Sequence, residues 1–261
     1  MLWVALLLGV VEGLTEFLPV SSTGHLIVTS ALLGFHGKRA EVFNVFIQLG
    51  AILAVVWEYR RKLADVARGL AARPPARRFV LNLLLAFLPA AGIGLLVHDF
   101  ISDHLFSPLT VALALIGGAL LIFLVEALPL PLATRDVDAV SWRQALLVGA
   151  AQCAALWPGF SRSAATILGG MAVGLDRRTA TEFSFFLAIP TMFAATIYDL
   201  VKQYEHLQPG DLSWLALAFV VSFVVAWGAV RWLLRFVSTH TFRVFGWYRL
   251  ALGLLILVAL L

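Results

Sequence analysis

Residues 9–25 read GVVEGLTEFLPVSSTGH, an apolar stretch interrupted by two carboxylates, a proline, three hydroxyls and a histidine. Glu12 and Glu16 are four residues apart, so a helix carries both on one face. Pro19 ends that helix, because proline lacks a backbone donor and clashes with the preceding turn. Ser21, Ser22 and Thr23 follow where a second helix would begin and where its first N–H groups have no partners. Such a helix start binds anions. A helix broken this way inside apolar sequence cannot face lipid, since backbone groups unpaired in hydrocarbon are too unfavourable; it must line a cavity or lie buried in protein.

The surrounding composition places the break in a membrane. Of the 261 residues 61% are apolar and 13% charged, against about half and about a quarter in a soluble domain. Apolar runs long enough for a core of roughly 30 Å, which takes about 20 helical residues, lie at 43–59, 79–98, 107–128, 181–201, 213–236 and 244–261. Two more segments, 2–34 and 144–175, are apolar but broken. The chain therefore reads as one all-α membrane domain over residues 1–261, with six transmembrane helices and two broken re-entrant hairpins. Its N-terminus has no basic region before the apolar stretch and reads as mature protein. Cys153 is the only cysteine, which excludes an intramolecular disulfide and a cysteine-based metal centre.

Charge sets the expected orientation. Arg60, Arg61, Lys62, Arg68, Arg73, Arg77 and Arg78 crowd one interruption, which the positive-inside rule puts in the cytoplasm. Counting spans from there leaves 14 of the 19 Lys and Arg inside, Lys38, Arg39 and Lys202 outside, and Arg162 and Arg249 at membrane depth. The basic residues form no soluble face, so nucleic acid is not an expected partner. His36, His98, His104, His206 and His240 fall in or near connections and read as structural.

A second break, PGFSRSAAT at 158–166, lies about 140 residues after the first. GAAQCAALWPGFSRSA at 149–164 matches residues 9–25, and FSFFLAIP at 183–190 matches FNVFIQLG at 43–50. The charge map runs 43–59 inward and 181–201 outward. Halves of about 1–128 and 144–261 thus form an expected inverted-topology repeat, whose broken helices should meet at the bilayer midplane.

Together the breaks carry the chemistry. Gly159 lets backbone approach closely, Ser161, Ser163 and Thr166 offer hydroxyls, and Arg162 offers a planar fork suited to phosphate. Glu12, Glu16, Ser22, His25 and Arg162 are the candidate catalytic groups. Ser21, Thr23, Gly159, Ser161, Ser163 and Thr166 are the candidate phosphate contacts. Ser22 and His25, three residues apart, read as nucleophile and base, and spacing leaves open which is which. Glu12 and Glu16 would share a cation, a proton or water. Plainer readings stand beside these: each hydroxyl can bond its own helix backbone, and Arg162 can be a structural partner for Glu12 or Glu16. Gln48, Asn82 and Arg249 lie in or at the edge of spans, divided between polar glue and a site role. A transporter or flippase for a polyprenyl-phosphate lipid is the competing function, since inverted repeats with broken helices are frequent in transporters.

EGLTEFLPVSSTGHL at 12–26 followed by PGFSRSAAT at 158–166 resembles the membrane-embedded undecaprenyl-diphosphate phosphatase family of the bacitracin-resistance type. FIQLGAILAVVWEY, LAFLPA, TEFSFFLAIP and the C-terminal WYR extend the likeness over the chain, with Ala164 where many relatives carry Gly. The resemblance implies hydrolysis of undecaprenyl diphosphate to the monophosphate carrier used in cell-wall synthesis, in the bacterial inner membrane with the active site facing outward. It implies a divalent cation, Mg2+ or Ca2+, which Glu12 and Glu16 would bind. Ser22 attacking with help from His25, His25 attacking with Glu16 orienting its ring, and direct attack by water all remain open at this point. So does assembly into a homo-oligomer.

Overall fold

The computed structural model describes residues 1–35, 37–203 and 212–260, without the side chains of 38, 39, 41, 98, 102, 202 and 203. The expectations for His36, His98 and His206, and for the side chains of Lys38, Arg39 and Lys202, lie outside the described residues. Eleven α-helices are described: α1 Leu2–Thr15, α2 Ser22–Leu32, α3 Lys38–Glu58, α4 Arg60–Gly69, α5 Pro74–His104, α6 Pro108–Ala127, α7 Trp142–Gln152, α8 Arg162–Ala172, α9 Arg177–Gln203, α10 Leu212–Val237 and α11 Arg243–Ala259. Among the described residues there is no strand, only an isolated bridge between Thr134 and Leu175.

Local chemistry fixes many helix ends. Prolines at the first turns of α5 and α6 occupy positions where an N–H would be unpaired anyway. Ser107 with Thr110 and Ser141 with Gln144 form reciprocal caps on α6 and α7. Gly174, at φ +94°, closes the turn after α8.

Packing follows a two-fold pattern. α1 packs on α10 as α7 packs on α5; α3 packs on α10 as α9 packs on α5; α3 meets α9, and α6 meets α11. Exchanging α1 with α7, α3 with α9, α5 with α10 and α6 with α11 leaves this set unchanged. Glycines at equivalent positions make the close approaches. A Cβ on Gly9 would lie 2.8 Å from the Ala218 carbonyl of α10, and one on Gly149 would collide with the Ala86 carbonyl of α5. The interior is filled by Phe17, Phe183, Phe185, Phe186 and Phe242 among others, all at or near zero exposure. Only 17% of the apolar window of α5 is buried, while Leu96, Leu120 and Leu255 stand exposed. An apolar exterior of that extent requires lipid around it.

All six expected spans fall on helices, but among the described residues four, α5, α6, α9 and α10, are by themselves long and apolar enough to cross a bilayer. The Val42–Glu58 part of α3 meets this only together with α4, across a 72° bend. α11 has 17 residues and carries the fully buried Arg249. The basic interruption contains an unexpected helix, α4, whose polar composition gave no span signal. At the end of α6, buried Glu126 accepts from Arg177 Nε (3.0 Å) at the start of α9 and from the Phe242 N–H (2.8 Å) before α11. This ties the ends of three helices.

The charge map yields a direct test. With Cys153 replaced, a cysteine at exposed Ala71 is expected to be shielded from impermeant thiol reagents in intact cells, and one at exposed Asp103 to be labelled. The opposite pattern would invert the orientation.

Candidate active site

Two serines organise the site. Ser21 (φ 73°) and Ser161 (φ 77°) are the only non-glycine residues with positive φ among the described residues. Such a backbone is unfavourable by about 1–3 kcal/mol. Each serine is the N-cap of its helix: Ser21 Oγ accepts from the Gly24 N–H (3.3 Å) and Ser161 Oγ from the Ala164 N–H (3.2 Å). They stand 140 residues apart, so the strained cap occurs at equivalent positions in the two halves. Each cap satisfies one donor of its helix start and leaves others for a ligand.

The next residue in each half carries the functional group. Ser22 follows Ser21, and its Oγ donates to Glu16 Oε2 at 2.5 Å. Arg162 follows Ser161, and its Nη2 donates to Glu16 Oε1 at 3.0 Å. One carboxylate therefore joins the first break to the second. Arg162 Nη1 donates to the Ser184 carbonyl at 3.2 Å, and its buried Nε has no partner. These groups line a cavity of about 260 Å³ with Ser21, Thr23, Gln48, Gly159, Ser161, Thr191 and Met192.

Arg249 fixes the two breaks relative to each other. Its Nη1 donates to the Pro19 carbonyl (3.2 Å) and its Nη2 to the Gly159 carbonyl (3.2 Å). Nε and Nη2 also reach the carbonyls of Leu115 and Ala114 on α6. The residue is fully buried. Ser163 adds a further link, donating to the Leu18 carbonyl at 2.8 Å. Gly159, at φ +94°, would carry a Cβ only 2.7 Å from the Val111 carbonyl, so no side chain fits there.

Not every expected residue lines the cavity. His25 does not: its Nδ1 lies 2.7 Å from the Ser21 carbonyl and its Nε2 2.6 Å from Tyr248 Oη. The partner of Ser22 is thus Glu16, not the histidine that spacing suggested. Ser163 and Thr166 are also absent from the lining. Thr166 Oγ1 pairs with Ser184 Oγ at 2.6 Å and donates to the Arg162 carbonyl at 2.9 Å, so it supports Arg162 from behind. Asn82 donates to the Val140 carbonyl at 2.7 Å and acts as polar glue. Thr191 and Met192 carried no sequence signal beyond lying in an apolar helix, and Ser184 and Tyr248 appeared only within the stretches TEFSFFLAIP and WYR, with no role attached.

Glu12 is completely buried, and neither carboxylate oxygen has a hydrogen-bond partner. Two orphaned acceptors one turn from Glu16 fit a hard cation, which favours carboxylate and phosphate oxygens. Among the described residues no three of His, Cys, Asp and Glu gather as a ready metal centre. Any such ion would draw its remaining ligands from hydroxyls, water or the bound phosphate.

Comparison with known proteins finds relatives over nearly the whole chain. The family described as Bacitracin resistance protein BacA matches residues 5–255. The chain is 55% identical to the undecaprenyl-diphosphatase of Pseudomonas fluorescens strain Pf-5, over 97% of this chain and 92% of that protein. It is 57% identical to the undecaprenyl-diphosphatase of Nitrosospira multiformis, over 97% of this chain and 93% of the relative.

The clamp on the two breaks is testable by stability alone. Arg249→Lys keeps the charge but cannot reach four diverging carbonyls. We expect the folded protein in detergent to lose about 2 kcal/mol or more, since buried carbonyls are left unpaired. An unchanged thermal midpoint would remove Arg249 from this role.

Proposed function

The chain belongs to the bacitracin resistance protein family, and from that membership and the site geometry we propose that it is an undecaprenyl-diphosphatase, which removes the terminal phosphate of undecaprenyl diphosphate. The observation that carries this is Glu16 holding Ser22 Oγ at 2.5 Å and Arg162 Nη2 at 3.0 Å on one cavity wall. A hydroxyl polarised by a carboxylate beside a phosphate-binding guanidinium is the equipment of phosphoryl transfer. A route for carrying a lipid needs no such pair.

The terminal phosphate sits against Arg162 and the starts of α2 and α8, where Ser21, Thr23, Gly159, Ser161 and the free first-turn N–H groups offer donors. Ser163 and Thr166 act through their neighbours. Arg162 Nε, buried without a partner, supplies a donor for a phosphate oxygen, and Nη2 is shared with Glu16. Ser22 attacks phosphorus, Glu16 takes its proton, and Arg162 with the helix starts stabilises charge on the transferring oxygens. His25, held by Tyr248 and the Ser21 carbonyl, fixes the strained start of α2. A Mg2+ or Ca2+ held by Glu12 and Glu16 would neutralise charge on the diphosphate when bound.

The two halves form an inverted repeat, with six helices crossing the bilayer and α1–α2 and α7–α8 entering it as re-entrant pairs. Support comes from the exchange of helix contacts between halves and from the matched caps at Ser21 and Ser161. The basic residues around α4 face the cytoplasm and the cavity opens on the outer side of the inner membrane. The polyprenyl tail stays in the lipid. Whether copies associate does not enter the chemistry.

Purified protein in detergent, given undecaprenyl diphosphate, is expected to release phosphate, and less of it with a chelator present. Arg162→Lys should lose most of that activity because the forked donor is lost; a rate within about threefold of the parent, under roughly 1 kcal/mol in barrier, would remove Arg162 from the site. Rapid quenching with labelled substrate should trap an acid-stable adduct that Ser22→Ala abolishes. An acid-labile adduct surviving Ser22→Ala would assign the attack to His25. No adduct under single-turnover conditions would assign it to water.

A further inference from the structure

The polar side chains around the cavity are nearly all committed to protein partners. Glu16 and Ser22 bind each other, Arg162 binds Glu16 and the Ser184 carbonyl, and Ser21 and Ser161 cap their helices. Thr191 donates to the Leu187 carbonyl at 2.8 Å and leans on Gln152 Oε1 at 3.4 Å. Thr23 and Gln48 are left, lining the cavity with no partner among the described residues. Thr23 is next to Ser22 on the first turn of α2 and belongs with the anion cradle. Gln48 reaches the cavity from a different element, α3.

Gln48 is also held firmly. The carbonyl of the preceding residue, Ile47, accepts from Ser222 Oγ of α10 at 2.6 Å. Two residues further on, Gly50 lies so close to the Phe219 carbonyl that a Cβ would collide with it. The backbone on both sides of Gln48 is thus pinned to α10. A functional group on such a support is placed more reproducibly than one on a loop. The equivalent position in the second half, 140 residues on, is Ala188, so the amide belongs to one half only.

We propose that Gln48 positions the water that hydrolyses the phosphate, an inference that rests on the diphosphatase reading of this cavity. A carboxamide offers an acceptor oxygen and two N–H donors and carries no proton to exchange. It can accept a hydrogen bond from water and donate one to a phosphate oxygen, without acting as a base. Glutamine has this water-orienting role in other phosphoryl-transfer sites.

The chemistry balances in two steps. Ser22 Oγ bonds to the terminal phosphorus as the bridging P–O bond breaks; the electron pair leaves on the lipid monophosphate, and the serine proton passes to Glu16 and then to solvent. Water oxygen then bonds to that phosphorus as the Oγ–P bond breaks, and the proton that water gives up returns to Oγ through Glu16. One water is consumed and one proton released overall. During attack, one water hydrogen points at Glu16 and the other at Gln48 Oε1. If water attacked the diphosphate directly, Gln48 would hold it in the same manner.

An alcohol distinguishes this role from a structural one. Methanol has a single O–H, which the base requires, so the contact to Gln48 is available to water alone. In a fixed concentration of methanol the parent forms phosphate and methyl phosphate in some ratio. Gln48→Met keeps the length of the side chain and removes the amide. We expect its turnover to fall by about tenfold or more, with KM within about threefold, and methyl phosphate to rise relative to phosphate by about threefold or more. The ratio is measured on active molecules only, so partial loss of folded protein does not alter it. A fall in rate with an unchanged product ratio would overturn the proposal, and so would an unchanged rate. A failure of the diphosphatase reading would appear earlier, as no phosphate from the parent, and would take this proposal with it.

Discussion

The guanidinium of Arg249 holds together a structure that helix packing alone would leave open. Two helices are broken inside apolar surroundings, and each break exposes backbone carbonyls that lipid cannot satisfy. Arg249 answers carbonyls from both, Pro19 and Gly159, while α6 supplies two more from Ala114 and Leu115. A buried charge without an opposing carboxylate is unfavourable unless dipoles surround it; four carbonyls do that here. The segments that bear Glu16 and Arg162 are thereby set at the distance their ion pair needs. The packing of α6 against α11 keeps this anchor beside its two α6 carbonyls.

The site itself is built by opposing strain to capping. Ser21 and Ser161 adopt a backbone that favours glycine, yet glycine would lose the hydroxyl that caps the helix. Serine keeps the cap, and the surrounding contacts hold the unfavourable φ. In return each helix start is turned toward the cavity with unpaired donors. The apolar exterior, exemplified by exposed Leu96 and Leu255, needs no such arrangement because lipid is its solvent.

Much of this was legible in the sequence because it is local. Proline and glycine mark where helices must stop, hydroxyls mark where they restart, and long apolar runs give the helices between. The 140-residue offset was readable from GVVEGLTEF and GAAQCAALW, and the matched caps fall on that offset. What spacing missed depends on distant partners. His25 stands three residues from Ser22, but Tyr248, 223 residues away, takes its ring. Thr166 reads as a phosphate contact until Ser184 is seen to take its hydroxyl. Gln48 resembles any polar residue within a span until α10 pins the backbone around it. α4 was invisible because a polar helix at the end of a span shares no signal with the spans themselves.

The matched positions have a consequence for descent. Ser22 and Arg162 occupy the same place in the two halves, each one residue after a strained serine cap, and both converge on Glu16. An assembly of two identical halves would set serine against serine, with no cation, or arginine against arginine, with no hydroxyl and two like charges sharing one cavity. Neither reproduces the set of hydroxyl, carboxylate and guanidinium found here. Unlike side chains at matched positions require halves with separate sequences, so the asymmetry of the site records divergence between them.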